Sequence, residues 1–336
     1  MSRIARADVA GIVVPNEVSE EILKGIAETS MIQSLAKPLP MVSNVHTFTE
    51  ADVTGANAFW VGEGARKQTD APPMSQKVWT ITAAEMAVII PINENVADDA
   101  ETDLFELYKP AIETAFANKL DTAAIFGQDA PTAWGAVATG VHLLPDAELA
   151  GHVFEEAVTA TDAELLDLIN GTGAVPGTPD GALQALEEDL YNPTLILAYT
   201  RFKARLRNLK DADGRFIFGD AGGNRAPTVI SDVPVQYTTT QQGSGVWVPL
   251  SAHMIVGDWQ QATIGTRAGL SYKAFDQGTI TDGAGQVLYS LMEQDMVALR
   301  VTARYGFKIF CDDSANSETI TSGDEFPFAA VRPYTA

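Results

Sequence analysis

The chain has 336 residues, 46% of them apolar and 8% aromatic, enough for one large core or two ordinary ones and too apolar for a disordered or fibrous protein. Subtracting 44 acidic residues from 22 basic ones leaves a net charge of −22, which repels phosphate backbones and excludes a dedicated nucleic-acid reader. The single cysteine, Cys311, excludes an intrachain disulfide. The most apolar stretch, residues 83–92, is broken by Glu85 and Pro91 and falls short of the roughly 20 residues that span a bilayer, so no membrane is expected.

In chain order, Arg3 and Arg6 precede an apolar run at 10–14, but Pro15, Asn16 and Glu17 cut it off too early for a signal peptide. Ser19 is an expected N-cap for a helix carrying Ile22, Leu23 and Ile26 on one face. From 44 to 83 the glycines and prolines Gly55, Gly62, Gly64, Pro72 and Pro73 separate short β-prone pieces at 58–61 and 77–83, which reads as a long, bent hairpin. A two-stranded ribbon is marginal in water unless covered, so Phe59, Trp60 and Trp79 are expected to want a cover, and the cover can be another chain.

A helical pattern opens at Asp103, and Pro110 suits the first turn of a longer helix over 110–126, with Ile112, Ala115, Phe116, Leu120, Ala123 and Phe126 at helical spacing and Gly127 as its stop. Between Leu120 and Thr200 lie 81 residues with 13 acids and no Lys or Arg, holding two expected helices, one opened by a capping box at Thr161 and Glu164, the other starting near Pro179. After a short strand at 195–198 come six basic residues: Arg201, Lys203, Arg205, Arg207, Lys210 and Arg215. Strict alternation over 297–311, from Val297 to Cys311, predicts a strand near 50 Å long with one apolar and one mostly polar face.

Catalytic and cofactor chemistry has no support in these residues. His46, His142, His152 and His253 are scattered without metal-ligand spacing, so neither a zinc site nor a Ser-His-Asp set is expected. Asp211, Asp213 and Gly214 start like a calcium loop, yet Arg215 and Gly222 stand where ligands are needed, which leaves a turn. Gly243 and Gly245 lack the third glycine of a dinucleotide loop. The paired acids Asp98/Asp99 and Glu155/Glu156 read as a solvated face, so no enzyme, no cofactor and no metal are expected.

The order of segments resembles the major capsid proteins of tailed bacteriophages, the family whose fold is named after the phage Hong Kong 97. Four stretches carry the resemblance: "VVPNEVSEEILKGIAETSMIQSLAKPLP", "AFWVGEGARKQTDAPPMSQKVWTITAAEMAVIIPINENVADD", "YTRFKARLRNLKDADGRFIFGD" followed by "SDVPVQYT", and "MIVGDWQQATIGTRAGLSYKAF" with "DMVALRVTARYGFKIF". The resemblance implies an α+β fold with an N-terminal arm and first helix at 1–43 and an extended loop at 44–83. A peripheral domain at 84–134 and 287–336, with its spine helix near 110–126, and an axial domain at 135–286 complete it.

It also implies a structural protein of the virion, assembled in the host cytoplasm through pentamers and hexamers into an icosahedral shell that contacts packaged double-stranded DNA non-specifically. Scaffolding, portal and decoration proteins are the implied further partners. Phe59, Trp60, Glu63, Lys67, Lys77, Trp79, Arg201, Arg205, Arg207, Arg300 and Arg304 are the expected inter-subunit contacts. Some family members join subunits by a Lys–Asn isopeptide bond helped by a Glu, for which Lys67 and Lys77 sit in the loop and Asn316 and Glu318 lie beyond the long strand. The acidic run 121–189 and the basic run 201–215 are expected to meet across subunit boundaries, since separated charge on one copy is complementary on a copy rotated beside it. An encapsulin shell around protein cargo is the alternative reading of the same fold, and an acidic soluble hydrolase the remote one.

Overall fold

A computed structural model describes residues 30–52, 59–63, 65–66, 75–94, 104–157, 161–175, 177–211, 213–220, 223–224, 226–238, 247, 252–267, 271–282, 284–311, 320–321 and 323–334. The helix expected at 19–26 and residues Lys67, Gly243, Gly245, Asn316 and Glu318 lie outside the described residues.

Two sheets organise the fold. The first is built on β16 (Met296–Ile309), the strand whose alternation is plainest in the sequence. One edge of β16 pairs antiparallel with β4 (Ala84–Asn93) in a ten-residue register from Ala84↔Tyr305 to Asn93↔Met296. It also pairs with β12 (Ala262–Arg267) over Tyr305 to Ile309 and with β13 (Ser271–Phe275) over Ala298 to Thr302, while β1 (Lys37–Met41) adds in parallel to β12. The odd-numbered side chains of β16, including Leu299, Val301, Tyr305 and Phe307, share a core with helix α2 (Leu104–Phe126), whose Ile112, Phe116, Leu120 and Ala124 recur at helical spacing. The opposite face is less polar than its sequence suggests, because Met41 and Ile81 cover its far end and Lys308 is 3% exposed. The Lys308 ammonium donates to the Thr139 carbonyl and lies 5.4 Å from the Trp79 ring centroid.

The helix expected at 110–126 begins at Leu104 and runs through Pro110 without a break. Pro110 lacks the N–H that would bond one turn back and its ring crowds the carbonyl there, a combined cost of about 3 kcal/mol that the apolar stripe packed against β16 offsets. Gly127, at φ +65°, stops the helix as expected, with its N–H bonded to the Ala123 carbonyl.

The second sheet has six strands in the order β5, β17, β11, β6, β10, β9. These are β5 (Val153–Glu155), β6 (Leu195–Ala198), β9 (Val229–Ile230), β10 (Val233–Tyr237), β11 (Met254–Gly257) and β17 (Phe328–Arg332). Helix α3 (Leu143–Ala150) leads into β5, and among the described residues the short strands β7 (Gly219–Asp220) and β8 (Gly223–Asn224) pair only with each other. Alternate residues serve different cores: Ile196, Ala198, Met254 and Val256 face helices α4 (Asp162–Asn170), α5 (Ala182–Glu188) and α6 (Phe202–Asn208), whereas Leu197 and Ile255 join the core around β16. The capping box that opens α4 forms as read, with Glu164 Oε2 accepting the Thr161 N–H at 2.6 Å. The sheets do not divide at the expected boundaries: β12 and β13, placed at 135–286, pair with β16, and β17, placed at 287–336, sits between β5 and β11. Non-local pairing decides membership here, and local pattern does not encode it.

The hairpin is present as expected: β2 (Val45–Asp52) pairs antiparallel with β3 (Ser75–Thr82) over eight positions. The β-prone piece at 58–61 is not a strand in its described residues Phe59 to Val61. Among the described residues no helix is long and apolar enough to cross a membrane.

Candidate functional site

The hairpin is anchored at its root and exposed beyond it. Period-two alternation sends Trp79 and Ile81 of β3 inward while Val78 points out at 44% exposure. Trp79 meets Phe310 edge to face at a centroid distance of 5.5 Å, and Phe48 of β2 does the same at 5.7 Å. Trp79 is therefore 2% exposed and covered by its own chain, which corrects its expected role as a contact awaiting a neighbour. In the connection between β2 and β3, Phe59, Trp60 and Val61 are 47%, 105% and 41% exposed, with Glu63 and Arg66 exposed close by in the chain. Lys77 lies on β3, on a part of the strand whose side chains are not described.

The root can pack so closely because Gly265 and Gly306 stand opposite each other on β12 and β16. A Cβ on Gly306 would lie 2.7 Å from Ile81 Cγ2 and 2.9 Å from the Thr82 carbonyl oxygen. Beside the root, between β4, α2 and the turn at 128–134, lies a cavity of about 270 Å³ lined by Met86, Leu120, Ala123, Pro131, Trp134 and Tyr305. Trp134 Nε1 donates to the Tyr305 carbonyl at 2.9 Å, which fixes the indole in the cavity wall.

Several acids of the run 121–189, expected to face a neighbouring subunit, are internal hydrogen-bond acceptors. Asp121 on α2 is 1% exposed and accepts from Ser30 Oγ at 2.6 Å, Met31 N at 2.8 Å and Ile32 N at 3.1 Å, capping the short helix α1 (Met31–Leu35). Burial pushes its carboxyl up to about 7, against the three hydrogen bonds that lower it. Asp146 likewise accepts the N–H groups of Ala138, Val141 and His142 at 2.7 to 2.9 Å, and burial again raises its pKa.

Arg205 is not free to meet a neighbour's acids: both its terminal nitrogens bond Glu156, whose side chain is 7% exposed, and His253 Nε2 lies 3.2 Å from the same carboxylate. Burial lowers the His253 pKa against the Glu156 charge, and the ring stacks on Phe202 at 4.6 Å. The expected meeting of acidic and basic runs thus happens at this point within one chain. Reversing Arg205 to Glu should destabilise the fold by about 3–5 kcal/mol, because it leaves Glu156 buried against a like charge, whereas Arg207→Glu at an exposed position should change stability by less than about 0.5 kcal/mol. Urea midpoints of the two variants check this, and equal midpoints would remove the buried pair from the account.

Arg304 is paired with Glu85 across the β4–β16 ladder, with Nη2 at 2.8 Å from Oε2, and Arg300 lies 5.1 Å from the Phe275 ring centroid. Arg201 sits 5.9 Å from the Tyr199 ring and is otherwise exposed. A second apolar patch escaped the sequence reading: β14 (Thr279–Thr281) and β15 (Val287–Ser290) form a hairpin exposing Val287, Leu288, Tyr289 and, just after it, Met292. The signal was available in Asp282-Gly283 between β-prone runs, and Asp282 Oδ1 does accept the N–H groups of Ala284 and Gln286.

Among the described residues no three His, Cys, Asp or Glu side chains gather to hold a metal ion. Asp211 organises a turn, as expected, its Oδ1 accepting the Asp213 and Arg215 N–H groups.

Comparison with known proteins places these features. Residues 10–315 match the model of the Phage capsid family. The chain is similar to the major capsid protein of Staphylococcus phage 80alpha, 26% identical over 91% of this chain and 84% of that one. It is also similar to the probable major capsid protein gp17 of Mycobacterium phage D29, 24% identical over 91% and 89%. A solved structure from Mycobacterium phage Cain superposes with a TM-score of 0.69 at 26% identity, covering 100% of both chains, and one from Microbacterium phage Oxtober96 with 0.71 at 24%, covering 99% and 100%. The α+β architecture, with its anchored hairpin, long helix and long strand, is thus of the Hong Kong 97 type, and the chain belongs to the Phage capsid family.

Proposed function

We propose that this chain is the shell-forming major capsid protein of a tailed bacteriophage, assembling through pentamers and hexamers into a closed icosahedral capsid around double-stranded DNA. The observation that carries the reading is the patch Phe59-Trp60-Val61, held out in solvent beyond a hairpin root that the protein buries firmly. A soluble monomer gains nothing from a fully exposed tryptophan on a ribbon, whereas a repeating assembly supplies its cover from the next copy. The β14–β15 hairpin offers a second apolar surface of the same kind. The part of the chain around β16 and α2 serves as the peripheral domain, and the six-stranded sheet with α4, α5 and α6 as the axial domain. A structural role is supported by the similarity to the family's major capsid proteins.

A net charge of −22 shapes the contacts. Packaged DNA is touched without sequence preference and is held off by the acidic surface, while salt screening over about 8 Å at physiological strength lets subunits approach. Assembly takes place in the host cytoplasm, and scaffolding, portal and decoration proteins are its further partners.

The test is expression of the chain, alone and with a scaffolding protein, followed by negative-stain electron microscopy and light scattering. Closed polyhedral shells or capsomer rings are expected, forming less readily at low ionic strength. Only 35.8-kDa monomers under every condition would overturn the reading.

A further inference from the structure

We infer that Pro38 and Pro40 close the outer edge of β1, so that copies of this chain cannot join their first sheets edge to edge into an open-ended β-structure. The inference concerns a contact that must not form, and it stands apart from the shell reading above.

The sheet built on β16 has β4 on one side and, on the other, β13 and β12 with β1 beyond it. Among the described residues β1 pairs only with β12, and β4 and β13 pair only with β16. β4 is ten residues long, carries a single proline at Pro91 and exposes Ile89 to 49%. A long apolar edge of this kind is a template for another strand. Were β1 equally competent, β4 of one copy could add to β1 of the next, and a contact between unlike edges grows as a filament wherever its rotation does not close. The remaining edges are protected by other means: β13 carries the exposed Lys273, and β5 and β9 at the ends of the second sheet have three and two residues.

β1 reads Lys-Pro-Leu-Pro-Met, and its five positions run parallel to Thr263 through Arg267 of β12. Successive residues of a strand turn their backbone polar groups to opposite sides, so alternate residues bond β12 and the others face outward. Proline has no N–H to give to a ladder and stands in a sheet where that group would face away from it. Lys37, Leu39 and Met41 therefore serve β12, and Pro38 and Pro40 fill the two outward positions between them. The outer edge thus offers carbonyl oxygens at these positions and no N–H.

Neither proline is needed to fill a core. Leu39 and Met41 pack at the hairpin root, whereas Pro38 and Pro40 are exposed. Pro38 lines two open grooves of about 430 and 760 Å³, so the space beside the edge is not filled by the described residues. The strand itself loses little, because a residue that precedes proline is held extended, which is what β1 requires of Lys37 and Leu39.

The experiment compares the full chain with two double variants. Pro38→Val with Pro40→Val restores both N–H groups on residues that favour strands. Pro38→Glu with Pro40→Glu restores the same groups but puts charge on the edge, another means by which strands are kept apart. The Val pair should form dye-binding filaments, visible by electron microscopy, at a concentration at least about tenfold below any at which the unaltered chain forms them. The Glu pair should form none. In the unassociated Val pair, the new amides at 38 and 40 should exchange hydrogen as fast as in an unfolded peptide while those of Leu39 and Met41 exchange slowly, and in the filaments the new amides should slow as well.

A Val pair as free of filaments as the unaltered chain would overturn the inference. Filaments from both pairs would also overturn it, since the prolines would then act by stiffening the chain, and so would slow exchange at 38 and 40 before association, since the edge would then be covered already. If the Val pair does not fold, exchange in the Glu pair decides: fast new amides support the closed edge and slow ones refute it. These outcomes hold whether or not the unaltered chain builds shells, so the two readings fail separately.

Discussion

Asp121→Asn should lower the stability of the fold by about 2 kcal/mol at neutral pH and flatten its dependence on pH. The asparagine keeps the shape of the side chain but turns an N–H₂ towards one of three donors that Asp121 accepts, namely Ser30 Oγ and the N–H groups of Met31 and Ile32. A buried donor left unpaired costs about 1–3 kcal/mol. The pH effect follows from burial, which raises the Asp121 pKa from 3.8 to about 7. An acid with a raised folded pKa holds its proton in the folded chain where the unfolded chain has lost it. Its contribution to stability is therefore full below about pH 4, falls as pH rises and is gone above about pH 7, by at most about 4 kcal/mol. Denaturant midpoints of both chains from pH 5 to pH 8 separate this group from the general self-repulsion of an acidic protein, which the variant retains. Parallel slopes for the two chains would show that Asp121 does not titrate in that window.

The second large effect is expected at Gly306. Gly306→Val should destabilise by about 2–3 kcal/mol and free the hairpin root, because the new Cβ would press on Ile81, itself 1% exposed, and on the Thr82 carbonyl, which is backbone and cannot turn aside. Thr302→Val, on the same strand four residues earlier, adds no bulk against the root and removes only the hydroxyl's bond to the Ser271 carbonyl, so it serves as the control for a change on β16 away from the root. The readout is limited proteolysis within residues 45–82 together with thermal unfolding. Cleavage at an unchanged rate would mean that the root does not depend on this close approach.

How far the sequence predicts the structure differs from element to element, for physical reasons. The helix stripe from Ile112 to Ala124, the β16 alternation and the Thr161 capping box are local patterns with a fixed period or spacing, and each appears where its pattern lies. Pro110 is suited to a first turn by its fixed φ, yet it stands inside the helix, because tertiary packing overrides that local preference. The burial of Trp79 is not legible in sequence, because a hairpin's two faces cannot be told apart until something packs on one of them, here Phe310 just beyond β16. The Glu156–Arg205 pair joins residues 49 apart, and no spacing rule reaches that far. The sheet membership of β12, β13 and β17 is hidden for the same reason. Of the candidate contacts, Phe59, Trp60 and Glu63 are exposed as a contact must be, while Trp79 and Arg205 serve the interior.

The position of β17 sets the order of events during synthesis. Its slot in the second sheet lies between β5 and β11, but residue 328 leaves the ribosome 71 residues after residue 257, the last of β11. Until then β11 carries an open edge and the buried Phe328, Ala329, Ala330 and Val331 are missing from two cores. A nascent copy is thus unfinished for most of its translation, and folding that waits on distant strand pairs is slow to complete. The lateness of β17 thus leaves the edge of β11 open to mispairing until residues 328–332 are made.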